Sequence, residues 1–149
     1  MGSPEHFARL FTVDEANALL PIVRSLVEEI LDSIRRLRSK SETVIRKEEL
    51  DPDAPNLMDR LREDNEIARL IGQVKGLVDE IDSYGCMCKG VEQGLIDFPC
   101  MLGSEVVFLC WQMGEASVSY WHRVEEGFAG RRPLLDVEDS DPEDNTPFH

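Results

Sequence analysis

Side chains able to do chemistry gather in the stretch Gly94–Leu134, which holds Asp97, Glu105, Glu115, His122, Glu125, Glu126, Arg131 and Arg132. His122 is the one internal histidine; the other two stand at positions 6 and 149. An imidazole titrates near neutrality and is the commonest metal ligand. With carboxylates from Glu115, Glu125 or Asp97 it makes a mixed nitrogen–oxygen set of the kind that holds Zn, Mn or Fe. The order Glu115, His122, Glu125 is not an established ligand spacing, and no HExxH or Cys/His cluster accompanies it. The same groups therefore support a structural reading as well. In it, His122 and Tyr120 project from one face of a hairpin and hydrogen-bond to a carboxylate or the main chain. Asp97 is then a partner for Arg131 or Arg132, which would pin the Gly127–Pro133 segment across the sheet, since arginine meets a carboxylate with two parallel bonds. Trp111, Tyr120 and Trp121 offer a ligand platform, although aromatics at strand spacing more often form core. Signatures for phosphate cradles and activated serines, such as GxGxxG and GxSxG, are absent.

These residues need elements to position them. Glu105–Trp111 and Val118–His122 read as two strands joined by a turn at Met113–Ala116. A turn centred there sets Trp111 opposite Val118, Leu109 opposite Tyr120 and Val107 opposite His122. Phe108 then faces Trp121, and Cys110 faces Ser119, on the other side. Cys110 and His122 lie on opposite faces in this register, which argues against a Cys–His dyad. Leu95–Phe98 reads as a third short strand ended by Pro99. A hairpin alone is marginal in water, so the upstream helices must cover it.

The first helix opens on Thr12 as N-cap, with Glu15 as its reciprocal partner and Phe11 stapled over Ala16. Leu19, Ile22, Val23, Leu26, Ile30, Ile34 and Leu37 form an apolar stripe running to about Val44, and Pro21 predicts a kink or a short helix flowing into a longer one. Lys47–Asn56 is a proline-containing loop, and a second helix starts near Leu57 with Leu61, Ala68, Ile71, Val74, Val78 and Ile81 on one side. Gly72 and Gly76 predict close approach of the two helix backbones, offsetting what each glycine costs the helix. Two such helices joined by a short loop pack antiparallel. Their stripes are wider than a small sheet covers, which predicts a homodimer.

Composition bounds the rest. The chain has 149 residues, 42% of them hydrophobic, and a formal net charge of -14. That is one folded domain, and its acidity argues against nucleic acid or an anionic membrane as partner. A start without a basic, apolar leader and the lack of a long apolar run predict a cytoplasmic location. Cys86, Cys88, Cys100 and Cys110 are not spaced as a redox or zinc pair and read as reduced structural residues. The organisation that results is a lead-in over 1–10, one domain over 11–135 and an acidic tail over 136–149 that reads as disordered. Within the domain, a helical hairpin covers 12–84 and a β-rich block covers 94–135.

Phe11-Thr-x-x-Glu-Ala-Asn-Ala-Leu-Leu-Pro21, Gly94-Leu-Ile-Asp-Phe-Pro99, Leu109-Cys-Trp111, Gly114-Glu115, Tyr120-Trp-His122, Gly127-Phe-x-Gly130 and Arg131-x-Pro133 together form a motif set. In it the chain resembles DUF2203, a bacterial family of uncharacterised proteins, over roughly residues 10–135. The resemblance implies a small protein with a helical hairpin and a C-terminal motif block; it brings no reaction or cofactor. Gly103-Ser104-Glu105 departs from the pattern, which has an arginine before the strand. The reading as a whole is an α+β fold: a long antiparallel helical hairpin with a small C-terminal antiparallel β-sheet. Its function divides between a structural or protein-interaction role and a metal-binding protein or metal-dependent enzyme built on His122.

Overall fold

A computed structural model describes residues 7–134. The predicted acidic tail, 136–149, lies outside them. The first helix, α1, spans Val13–Lys47, and a short α2 (Leu57–Leu61) and a longer α3 (Asn65–Ser83) follow. Five strands complete the fold: β1 (Met87–Gly90), β2 (Leu95–Leu102), β3 (Glu105–Gln112), β4 (Tyr120–Arg123) and β5 (Arg132–Pro133). They form one antiparallel sheet in chain order, so the molecule is α+β with the sheet on the C-terminal side. No helix of the described residues is long and apolar enough to cross a membrane.

Local sequence accounts for the helix starts. The Thr12 hydroxyl accepts from the Glu15 amide, the Glu15 carboxylate accepts from the Thr12 amide, and Phe11 and Ala16 are both buried behind this box. α1 continues through Pro21 as a single helix. The second predicted helix is two: the chain turns after Leu61, and Asp64 starts α3 afresh by accepting from the amides of Glu66 and Ile67. An aspartate with a side-chain oxygen free to satisfy two orphan amides competes well with helix continuation.

α1 and α3 run antiparallel. Lys40 of α1 lies 3.9 Å from Asp64 at the start of α3, while Ile81 at the far end joins Phe11 and Leu20 in one core. That core is completed by one face of the sheet: Ile96, Phe98, Cys100, Val107, Leu109, Trp111 and Trp121. A smaller cluster of Val44, Leu61 and Ile67 closes the other end of the hairpin. The large hydrophobic side chains left exposed among the described residues are Ile22, Met58 and Phe128.

The α3 stripe is centred on Ile67, Leu70 and Ile81, and Ala68 is exposed. Gly72 and Gly76 face open space, with nothing within 4 Å of where a Cβ would sit. The predicted close approach of helix backbones is therefore absent there. With nothing to compensate their flexibility, Gly72→Ala and Gly76→Ala should each stabilise the protein by up to about 1 kcal/mol. Thermal unfolding checks this; each should raise Tm by about 2–4 °C.

The sheet extends beyond the three strands predicted. β2 passes straight through Pro99, which pairs with Phe108 of β3 on one side. On the other side β1 reaches only as far as Asp97, so the missing proline N–H costs no ladder bond. The Pro99 carbonyl instead accepts from the Phe11 amide at 2.6 Å, tying the chain before α1 to the sheet.

Candidate functional site

The register of β3 against β4 decides which side chains meet. Phe108 pairs with His122, Leu109 with Trp121, and Cys110 with Tyr120. This is one residue removed from the predicted pairing, and a slip of one residue exchanges the faces. The cause lies in the connection. The chain does turn tightly after Gln112, where the Glu115 amide donates to the Gln112 carbonyl at 3.0 Å, but it then runs on through Val118 and enters β4 only at Tyr120, along a path fixed by side-chain contacts. The Glu115 carboxylate accepts from the Gln112 amide at 2.8 Å, and its carbonyl accepts from the Trp111 indole at 2.9 Å. Asn17 of α1 accepts from the Val118 amide, also at 2.8 Å, drawing Val118 into the core before β4 begins. A helix side chain far away in sequence thus contributes to the register.

Across β2 and β3, Asp97 pairs with Cys110. Side chains alternate along a strand, so Asp97, Phe108, Cys110, Tyr120 and His122 share the face turned away from the helices. Asp97, Cys110 and His122 are each at most 3% exposed, and one ligand atom from each lies within 4.8 Å of the others. They are the one such buried group among the described residues.

Within it, His122 Nε2 is 3.2 Å from Asp97 Oδ1, and His122 Nδ1 is 2.8 Å from the Arg123 carbonyl oxygen. The carbonyl can only accept, so Nδ1 carries a proton and donates it. Burial by itself pushes the His122 value down. The hydrogen bonds to Asp97 and to the Arg123 carbonyl, with the charge on Asp97, outweigh it, and the net shift is upward. With two acceptors facing its two nitrogens, the ring is suited to the protonated form. Burial, with the Asp97 charge beside it, pushes the Cys110 thiol up to about 12. A thiol so protonated is not an activated nucleophile. Nor does His122 have the arrangement of a general base, whose second nitrogen must reach substrate.

The cluster forms the floor of a cavity of about 290 Å³, with Leu95, Phe108, Val124 and Phe128 as walls and Lys89 at the rim. Phe108 is held edge-on to both His122 and Phe7, with ring centroids 5.6 Å apart in each case. Gly127, at φ +79°, turns the chain into the 3-10 turn Phe128–Gly130 that presents Phe128 to the cavity. L side chains rarely adopt that conformation.

The other predicted site residues are placed elsewhere. Glu115 is bound to Arg131 at 2.7 Å and does not join the cluster. Glu125 is exposed beyond β4. Trp111 and Trp121 point into the helix-facing core. Neither arginine takes the predicted place beside Asp97, which His122 occupies. Arg131 instead bonds Glu115 and the Cys110 carbonyl, and its guanidinium lies 4.0 Å from the Tyr120 ring centroid and 4.6 Å from that of Phe128. Its buried Nε has no hydrogen-bond partner, which leaves the two ring faces as its surroundings. Arg132 forks onto both oxygens of Glu126 at 2.9 and 2.8 Å. Cys110, Lys89 and Phe128 were missed as site residues, and only the correct strand register would have put Cys110 with His122.

The Arg132 fork and the Arg123 amide hold the Glu126 carboxyl down to about 2 from an ordinary value near 4.5. A depressed carboxylate contributes stability above its ordinary value, and that contribution is lost as pH falls toward the folded one. Between pH 5 and pH 2, Tm should therefore fall less steeply in Glu126→Gln than in the parent. Parallel acid slopes would show that the clamp contributes nothing.

Compared with known proteins, the chain matches no curated protein and no solved structure. A family model described as "Uncharacterized conserved protein (DUF2203)" matches residues 9–134, a span that takes in every residue of the cluster and the cavity, with Arg131 and Arg132. The chain is a member of the DUF2203 family.

Proposed function

We propose that this protein binds a divalent transition metal, zinc being the best match, through Asp97, Cys110 and His122 at the floor of the cavity. The observation that carries the reading is the convergence of a thiol, an imidazole and a carboxylate within 4.8 Å on one buried sheet face. Tetrahedral zinc with ligands at its usual bond lengths sets them about 3.3–3.8 Å apart, so an inward movement of about 1 Å suffices. A thiolate–imidazole–carboxylate set favours zinc over the hard cations magnesium and calcium. The bond from His122 Nδ1 to the Arg123 carbonyl is the outer contact that orients a ligating imidazole with Nε2 toward the ion. Charge also balances: a dication with one carboxylate and one thiolate is neutral. Three protein ligands would leave a bound zinc one further position for water or substrate, as in zinc sites that act on substrates.

One observation favours a purely structural role instead. Asp97 and His122 satisfy each other without an ion. Titrating chelator-stripped protein with Co2+ and Zn2+ separates the two. The metal reading expects one equivalent, an intense near-ultraviolet thiolate-to-cobalt band and competition by zinc. Absence of saturable binding and of that band would leave the structural role.

A further inference from the structure

The cavity above the cluster has a chemistry of its own, apart from any metal. At about 290 Å³ it sits at the lower end of small-molecule sites, room for a compact ligand. Its walls are apolar or aromatic, and the polar atoms of Asp97 and His122 at the floor are engaged with each other. The charge not engaged is at the rim. Lys89 forms no ion pair with any described residue, and its ammonium lies 4.9 Å from the centroid of the Phe108 ring. Lys89 is exposed on the short strand β1, so a ligand's charged group can meet it without being stripped of water.

We infer that the cavity binds a small organic monocarboxylate with an aromatic or branched aliphatic body, the body between Phe108 and Phe128 and the carboxylate on Lys89. One ammonium matches one carboxylate. A phosphate ester, with nearly two charges and three acceptor oxygens, calls for more donors than this rim supplies. The chain's net charge of -14 acts against anions at long range, but salt limits that field to about 8–10 Å, so the local lysine decides.

The test uses chelator-stripped full-length protein, so that its failure and the failure of the metal reading are distinguishable. Benzoate, benzyl alcohol, benzylammonium and phenyl phosphate are titrated and followed by NMR. Benzoate should bind about three- to fivefold more tightly than benzyl alcohol, the upper range for one partly exposed ion pair, and benzylammonium most weakly. Lys89→Met should bring benzoate and benzyl alcohol within about twofold, Lys89→Arg should keep the preference, and added salt should erode it. Resonances of Phe108 and Phe128 should move on binding. Equal affinities for the acid and the alcohol, a benzoate preference that survives Lys89→Met, or tighter binding of phenyl phosphate would each overturn the assignment.

Discussion

Asp97→Ala lowers the stability of the metal-free protein by about 3–5 kcal/mol, the cost of breaking a buried pair by removing one partner. Both side chains are at least 95% buried, so water does not replace the lost contact. His122 escapes part of the penalty by shedding its proton, since burial pushes its value down once Asp97 is gone. The expected loss is therefore nearer 3 than 5 kcal/mol, a fall in Tm of about 6–12 °C for a chain of this length. The pH dependence has a definite sign. A histidine whose folded value is raised contributes stability fully below its ordinary value of 6.5, and loses it as pH rises through the folded value. The gap between parent and Asp97→Ala should be widest below pH 6.5 and narrow as pH rises through the folded value. Asp97→Asn keeps an acceptor for Nε2 and removes only the charge, so it should fall between. Chemical denaturation in the presence of chelator at several pH values checks all three. A gap under about 1 kcal/mol at pH 6 would mean that the pair is not a buried ion pair.

At the proposed zinc site, Cys110→Ser should lower zinc affinity by more than about 100-fold, beyond the 10–100-fold typical of an outer contact, because it would remove a ligand outright. Serine is nearly the same size, and the Cys110 thiol donates no ladder bond, so folding should be little changed. His122→Ala should abolish binding, although its stability loss makes it the less clean test. Glu115→Gln distinguishes this cluster from the ligand set that sequence spacing suggests. Glu115 holds Arg131 at 2.7 Å, so its loss should loosen the β3–β4 connection while leaving zinc stoichiometry unchanged. At pH 6 binding should release close to two protons, one from the thiol held near 12 and one from the imidazolium. Calorimetry in two buffers of different ionisation enthalpy measures that number. If Glu115→Gln removed bound metal while Cys110→Ser kept it, the ion would be elsewhere.

What could be read from the chain alone was whatever is decided within a few residues. The Thr12–Glu15 box, the apolar stripe of α1, the loop after Lys47 and the strand read as Glu105–Trp111, which runs one residue further to Gln112, each carry their own cause in local hydrogen bonding or periodicity. Asp97 and His122 were legible as candidates because a carboxylate within a short apolar strand and a lone internal histidine are chemically conspicuous. Their companionship was not. It depends on strand register, and strand periodicity is two, so a one-residue error in the connection sends every side chain of β4 to the wrong face. That connection follows long-range contacts which no local pattern encodes: Asn17 to Val118, Arg24 to the Ala116 carbonyl, and Arg131 to Glu115. The same holds for Gly72 and Gly76, whose spacing suggested helix contact. Only the packing of α3, with its buried face on Ile67, Leu70 and Ile81, turned them to solvent. Sequence by itself determined the two long helical stretches, the middle strands of the sheet and which residues have chemistry to offer, though not the break after Leu61 or the edge strands β1 and β5. Tertiary structure decided which of those residues meet, because meeting is a matter of register and face, set by contacts distant in the chain.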